Sequence, residues 1–600
     1  MNHTFHIPVL GLGYSIDTPL KVAKYGISSV VSIVDDELTE RMRKFHQENA
    51  GEEYRLIGKH EADSRAKRIT AYLNLLDRLV EKQFSALLEQ QFEADGDLVQ
   101  YFELIPDHLP LKKKYLQMMS LPDGDEKRNV QKLLKAAMQP GHIDVNIMSK
   151  VDKANYNARK EYTGDDFTDA LAAMRGFAKS TLKSSIIISA GLNPRLYAYM
   201  EHCDSFFPDE KGNIQKKIIL KVSDFRSALI QAKMLAKKGL WVSEFRIESG
   251  LNCGGHAFAT EGFLLGPILE EFKTKRQELF AELQDMYIAA LHSKTLTAPP
   301  FRTQRITAQG GIGTAEEHQF LMNYYQLDAA GWGSPFLLVP EATNVDEETL
   351  SDLVSSKADD FYVSNSSPLG VLFNNFKKST AEEQRITRLQ NGRPGSPCTK
   401  KFLCTNTEFT KEPICTASRQ YQNLKLKELK SHAISLTKEK YQQLFEHITE
   451  KVCLCEGLCA STYLKLGIIK PKESNAVSIC PGPNIAFFSG RYSLKEMINH
   501  IYGRQNLLEG VVRPNLFINE LQLYVDYLKK DIAAQFDELN TKKEKYFAKF
   551  KAQLLNGINY YKELIPELKL QGNMAVEEMM TQLILAEKNL GQFSLSAVAV

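Results

Sequence analysis

Ala308-Gln-Gly-Gly-Ile-Gly-Thr314 and, one short helix further on, Asp328-Ala-Ala-Gly-Trp-Gly-Ser-Pro-Phe336 decide the fold. Each closes an apparent strand on glycines. Gly310 and Gly311 let backbone N–H groups come close to an anion, and a helix starting near Ala315 would add the favourable end of its dipole. Taken alone, the first stretch is also compatible with an ordinary tight turn between strand and helix. Two consecutive strands ending in this way, with Gly333 and the hydroxyl of Ser334 on the second, read as the two halves of one phosphate cradle.

Working outward, short β-branched runs recur at Ile7–Leu10, Ser29–Val34, Ile143–Met148, Ser185–Ser189, Lys217–Val222, Val242–Glu248, Gln304–Ala308 and Asp328–Gly331. Most are followed by a Gly or Pro turn and a helical pattern, which argues for parallel βαβ units. The glycine turns then follow strands seven and eight, where a closed barrel binds phosphate. The fold class is therefore α/β, a (β/α)₈ TIM barrel over 1–343; a doubly wound open sheet is the alternative. A helical insertion, about 35–141, separates the second and third strands. In it Ala62–Gln91 places Ile69, Tyr72, Leu73, Leu76, Leu79 and Val80 at helical spacing. Residues 344–384 form a barrel-closing appendage, 385–510 a Cys-rich region and 511–600 a helical region. Leu521, Val525, Leu528, Ile532, Phe536 and Leu539 make one apolar stripe in this last region, suited to dimerisation or to covering the barrel.

The 600 residues are 43% hydrophobic and 25% charged, with 75 basic against 73 acidic side chains and a net charge of +2. This is the balance of a soluble globular chain. It gives no general electrostatic reason to expect nucleic acid or an anionic membrane as partner. The lysines of Leu424–Lys440 read as a solvated helix face. The first residues have no basic region followed by an apolar core, and no apolar run reaches spanning length. The expectation is a cytoplasmic protein with a small-molecule substrate and reduced thiols.

After the sixth strand comes Ser249-Gly-Leu-Asn-Cys-Gly-Gly-His256, which puts His256 on a turn at the catalytic face of a barrel. An imidazole there can exchange protons near neutral pH; a histidine satisfied structurally in a loop is the alternative. Taken in order, Gly11-Leu-Gly-Tyr-Ser15, Val145-Asn-Ile147, Gly254-Gly-His256, Gln309-Gly-Gly-Ile312 and Gly333-Ser-Pro-Phe336 resemble the turns of the nitronate monooxygenase family. That family also includes flavin-dependent enoyl-acyl-carrier-protein reductases. Ser367-Pro-Leu-Gly-Val-Leu-Phe-Asn-Asn-Phe376 is similar to the segment after the barrel there. The resemblance spans about residues 5–376, the insertion excepted.

The resemblance implies FMN. Gly310, Gly311, Gly333 and Ser334 would hold its phosphate. Gly11, Leu12 and Gly13 would pass near the isoalloxazine, Asn146 would line the ring, Gly254 and Gly255 would also bind the cofactor, and His256 would face the substrate side. His256 would abstract an acidic proton while electrons pass to the flavin. This chain departs from the family pattern in having Asn252-Cys253 where Glu-Ala is usual, Ser334 for Thr, and Pro335 after it. Cys253 is a redox or nucleophilic candidate, with a small buried residue as the favoured alternative.

Seven of nine cysteines fall between Cys398 and Cys480: Cys398, Cys404 and Cys415, then Cys453, Cys455, Cys459 and Cys480. Such clustering suits an iron–sulfur centre or a Cys₄ zinc site, with buried free thiols as the alternative. Three functions follow from the sequence. The first is an FMN-dependent oxidoreductase resembling nitronate monooxygenases. The second is an NAD(P)H-dependent flavin reductase of an enoyl thioester or other unsaturated substrate, with an iron–sulfur relay. The third is a non-catalytic, metal-binding barrel.

Overall fold

A computed structural model describes residues 3–149, 152–157, 159, 161–189, 191–256, 261–299, 304–535, 541–570 and 576–592. Eight parallel strands close on themselves in sequence order. They are β1 (Phe5–Ile7), β2 (Ser28–Ser32), β3 (Ile143–Ile147), β4 (Ser184–Ile188), β5 (Lys216–Val222), β6 (Val242–Glu248), β7 (Arg305–Gln309) and β8 (Ala329–Gly331). Closure is the pairing of β8 with β1, His6 opposite Gly331. The open sheet is excluded. β1 lies earlier than the predicted Ile7–Leu10, because Pro8 has no N–H to give a ladder and the chain leaves the sheet there.

The strands alternate as a barrel requires. One side of each packs outward under helices, as Phe245 and Ile247 of β6 do in the main core. The other side fills the interior, where Val30, Ile187 and Ile219 make a small apolar layer. β6 also sends Glu244, Arg246 and Glu248 inward, and their charges are matched on β6 itself and on other strands. Arg246 pairs with Glu244 at 2.7 Å and reaches Asp144 on β3 at 3.3 Å. Glu248 pairs with Lys221 on β5 at 2.8 Å.

Between β2 and β3 the chain forms helices Asp36–Asn49, Ser64–Glu89, Asp97–Leu104, Pro110–Ser120 and Asp125–Ala137. They pack beside the barrel. Ser64–Glu89 lies so close to the helix Asp169–Ala178 that a Cβ on Gly176 would meet Ile69 at 2.9 Å. Tyr72 donates its hydroxyl to the Ile16 carbonyl at 2.8 Å.

Beyond the barrel, a hairpin of β9 (Phe361–Ser364) and β10 (Phe373–Phe376) precedes a mainly helical region. Leu521, Val525, Leu528 and Ile532, on the helix Leu516–Gln535, are buried within the chain; Phe536 and Leu539 of the predicted stripe lie outside the described residues. The helix Thr541–Leu570 joins this cover, and Tyr561 accepts the Gly266 N–H at 3.1 Å. Among the described residues no helix is long and apolar enough to cross a membrane.

Candidate active site at the barrel mouth

A cavity of about 230 Å³ opens at the C-terminal ends of the strands. Gly11, Leu12, Asn146, Gly254, Gly255 and His256, all singled out from the sequence, line it. So do Lys221 and Glu248, which periodicity hides because they are charges inside a strand. Their ion pair sits on the cavity floor, and Gln309 Nε2 donates to Glu248 at 2.7 Å. The roof comes from beyond the barrel: Leu369, Phe373, Phe402, Leu403, Leu454 and Leu458. Leu369 and Phe373 belong to the segment Ser367–Phe376 noted in the sequence, whereas no sequence signal marks Phe402, Leu403, Leu454 and Leu458, which reach the mouth only when the last third of the chain folds back.

His256 is oriented by that returning segment. Its Nε2 lies 2.7 Å from the Ser367 hydroxyl, and its ring meets Phe373 edge to face at 5.1 Å. Asn252 Nδ2 donates to the His256 carbonyl at 3.0 Å, and Asn374 Nδ2 donates to Asn252 Oδ1 at 3.0 Å. The backbone of Gly254 and Gly255 takes φ of +116° and +81°, open only to glycine at low cost. The Gly255 N–H donates to the Cys480 carbonyl at 2.9 Å. The base of the same loop is held by Glu520, 1% exposed. Its carboxylate accepts from Ser249 Oγ and the Gly250 N–H at 2.8 Å and from the Leu265 N–H at 2.7 Å. Burial raises its pKa. Glu520→Ala would strand three donors and should lower the unfolding free energy by about 3 kcal/mol. Urea unfolding measures this, and Glu520→Gln, which keeps one acceptor, should lose less.

The glycine turn after β7 is held as firmly, again by the C-terminal region. Arg513 Nη2 donates to the Gly311 carbonyl at 2.6 Å, Asn484 Nδ2 to that of Ile312 at 2.7 Å and His500 Nε2 to that of Gly313 at 2.9 Å. Since His500 Nδ1 accepts the Leu507 N–H at 3.2 Å, the ring is the neutral Nε2–H tautomer, and burial lowers its pKa. Arg513 also pairs with Glu317 at 2.7 Å; the two side chains are 4% and 6% exposed. The helix begins at Ala315, with Thr314 Oγ1 accepting the Glu317 N–H at 3.2 Å.

The other predicted cofactor residues are placed differently. Gly13 donates its N–H to the Leu458 carbonyl at 3.1 Å and packs against the helix Leu454–Lys465, away from the cavity. Gly310, Gly311, Gly333 and Ser334 are buried beside one another and do not line the mouth. A flavin needs a slot for a flat ring and partners for its tail. The mouth fits the ring, with apolar walls and a few polar groups, Asn146, Lys221, Glu248 and His256, at its edges. The predicted phosphate partners do not fit the tail, since the chain itself covers them.

The cysteines are corrected too. Among the described residues no group of three or more His, Cys, Asp or Glu is arranged to hold a metal ion. Cys398 and Cys404 lie 3.8 Å apart beside Cys415. Cys453 is the N-cap residue of the helix Leu454–Lys465, and at about 100° per residue Cys455 and Cys459, four apart, share one face. Cys455 and Cys480 instead line the mouth, and Cys459 Sγ lies 3.4 Å from Asp35 Oδ2. These seven are free thiols, as is Cys253, whose pKa burial raises. The iron–sulfur relay and the metal-binding barrel have no ligand set here.

No protein-family model matches the chain, nor does any curated protein. Among solved structures it is similar to FabK from Thermotoga maritima, with a TM-score of 0.31 at 12% identity over 65% of this chain and 83% of that one. The enoyl reductase domain of MlnA, from the macrolactin biosynthesis cluster of Bacillus amyloliquefaciens, gives 0.32 at 15% over 76% and 89%. Nitroalkane oxidase from Streptomyces ansochromogenes gives 0.28 at 10% over 64% and 86%. Likeness at this level carries no argument about chemistry, and the barrel rests on its own strand pairing.

Proposed function

We propose that this chain is a flavin-dependent oxidoreductase in which His256 moves a proton to or from a small substrate at the barrel mouth. The observation that carries this is the arrangement of His256 itself. It lines the cavity, hydrogen-bonds to Ser367 and stands beside an apolar wall. A flavin bound there would supply the two-electron chemistry, for which the chain's own side chains are unsuited.

The residues have separable tasks. Phe373, Leu369 and Phe402 exclude water and favour an apolar substrate body. Lys221 brings a positive charge to the cavity floor, held in place by Glu248. His256 accepts a proton from carbon next to an electron-withdrawing group, as in deprotonation of a neutral nitroalkane ahead of its oxidation. In the reverse sense it delivers one to a conjugated double bond, as in reduction of an unsaturated thioester. The Ser367 hydroxyl, able to donate or accept at Nε2, supports either direction.

The test is direct. Purified protein reconstituted with flavin should show the visible absorbance of the oxidised ring, and under anaerobic conditions that absorbance should bleach on adding one reductant. Bleaching by a neutral nitroalkane favours the first direction and bleaching by NAD(P)H the second. A protein that stays colourless refutes the proposal.

A further inference from the structure

The turns that promise a phosphate site are closed by this chain's own atoms. Cys253 stands between them. The Gly310 N–H donates toward its sulfur, and a Cβ on Gly333 would lie 2.7 Å from the same atom. The Ser334 hydroxyl is fully used: it donates to the Cys253 carbonyl at 3.1 Å and accepts the Gly482 N–H at 2.7 Å. Gly482 belongs to the strap Cys480-Pro-Gly-Pro-Asn484, where only glycine fits, since a Cβ would come within 2.6 Å of the Asn252 carbonyl. Asn484 ties the strap to the turn through the Ile312 carbonyl. The Cys253 carbonyl thus takes the Ser334 proton, and the thiol the space against Gly333, that would otherwise meet an anion.

We infer that Cys253 and the Cys480–Asn484 strap plug the phosphate cradle, so that the mouth selects its ligand by a flat ring and not by a phosphate. The ring is anchored by polar residues that line the mouth, Asn146, Lys221, Glu248 and the His256 loop. This rests on the flavin proposal above and sharpens it: riboflavin and FMN become equivalent ligands. In an open cradle each charge-assisted hydrogen bond to phosphate is worth about tenfold in affinity or more, so several would favour FMN by a hundredfold or more.

The experiment is a fluorescence-quenching titration of the full-length apoprotein with riboflavin and with FMN. The two dissociation constants should agree within about tenfold. Cys253→Ala frees the Gly310 N–H and the space against Gly333, and should shift the preference toward FMN by about tenfold or more. Cys253→Ser keeps a hydrogen-bonding atom in place and should behave as the parent. Thermal unfolding of each variant establishes that it is folded. A parent protein that prefers FMN by more than tenfold overturns the plug and leaves the flavin proposal standing. A preference for FMN that appears only after Cys253→Ala, with the parent binding both flavins alike, upholds the plug. Failure of parent and variant to bind either flavin overturns both.

Discussion

Arg513→Ala should lower the unfolding free energy by about 3–5 kcal/mol, the usual cost of removing one partner from a buried ion pair. Arg513 is a junction of three elements. It pairs with Glu317 at 2.7 Å, donates to Asn484 Oδ1 at 3.0 Å and donates to the Gly311 carbonyl at 2.6 Å. Without it the Glu317 carboxylate stays buried, accepting the Gly313 and Leu516 N–H groups at 2.8 and 2.6 Å, but with no positive charge beside it. Urea unfolding followed by tryptophan fluorescence measures the loss. Trp332 lies one residue beyond β8 and stacks edge to face with His500, so it reports on this junction. Arg513→Lys keeps the charge but not the planar fork that serves three acceptors, and should recover only part of the loss. An effect below about 1 kcal/mol, the size of an exposed pair, would show that the junction is not a support of the turn.

His256→Ala should slow substrate-driven flavin reduction by about 10²–10⁴-fold, the usual contribution of a positioned acid or base. Flavin affinity should change far less, because the cavity floor and the walls other than His256 remain. Anaerobic stopped-flow reduction separates the two quantities. Ser367→Ala should give a smaller fall in rate and displace the pH profile, since Ser367 acts through the histidine at 2.7 Å and not on the substrate. Equal rates for parent and His256→Ala would remove the histidine from the chemistry.

Much of the fold was legible because barrel strands are local objects. Runs such as Lys217–Val222 and Val242–Glu248 match the observed β5 and β6 within one residue, and turn glycines separate the units. The loop Ser249–His256 was legible for the same reason, as a glycine-rich turn carrying one titratable group. The wall and supports of the site were not. Phe402 and Leu454 are ordinary residues until the chain returns across the mouth, and the segment Ser367–Phe376 was marked without the roles of Ser367 and Phe373 in it. Glu520 and Arg513 are charges on a helix and a linker until burial makes them indispensable.

The cysteines and the glycine turns show the opposite error. Proximity in sequence suggested shared ligation for Cys453, Cys455 and Cys459, but Cys455 opens to the mouth while Cys459 meets Asp35. Gly310, Gly311, Gly333 and Ser334 did come together as their spacing implied, yet Cys253 took the Gly310 N–H, the Ser334 proton and the space against Gly333. By itself, the sequence determined the eight strands, their parallel connection and the loop that lifts His256 to the catalytic face, because these follow from short-range periodicity and backbone freedom. Only the tertiary structure decided which backbone groups remain free to bind a ligand. That depends on what distant segments pack against them, and a buried N–H or hydroxyl finds whichever partner the folded chain brings nearest.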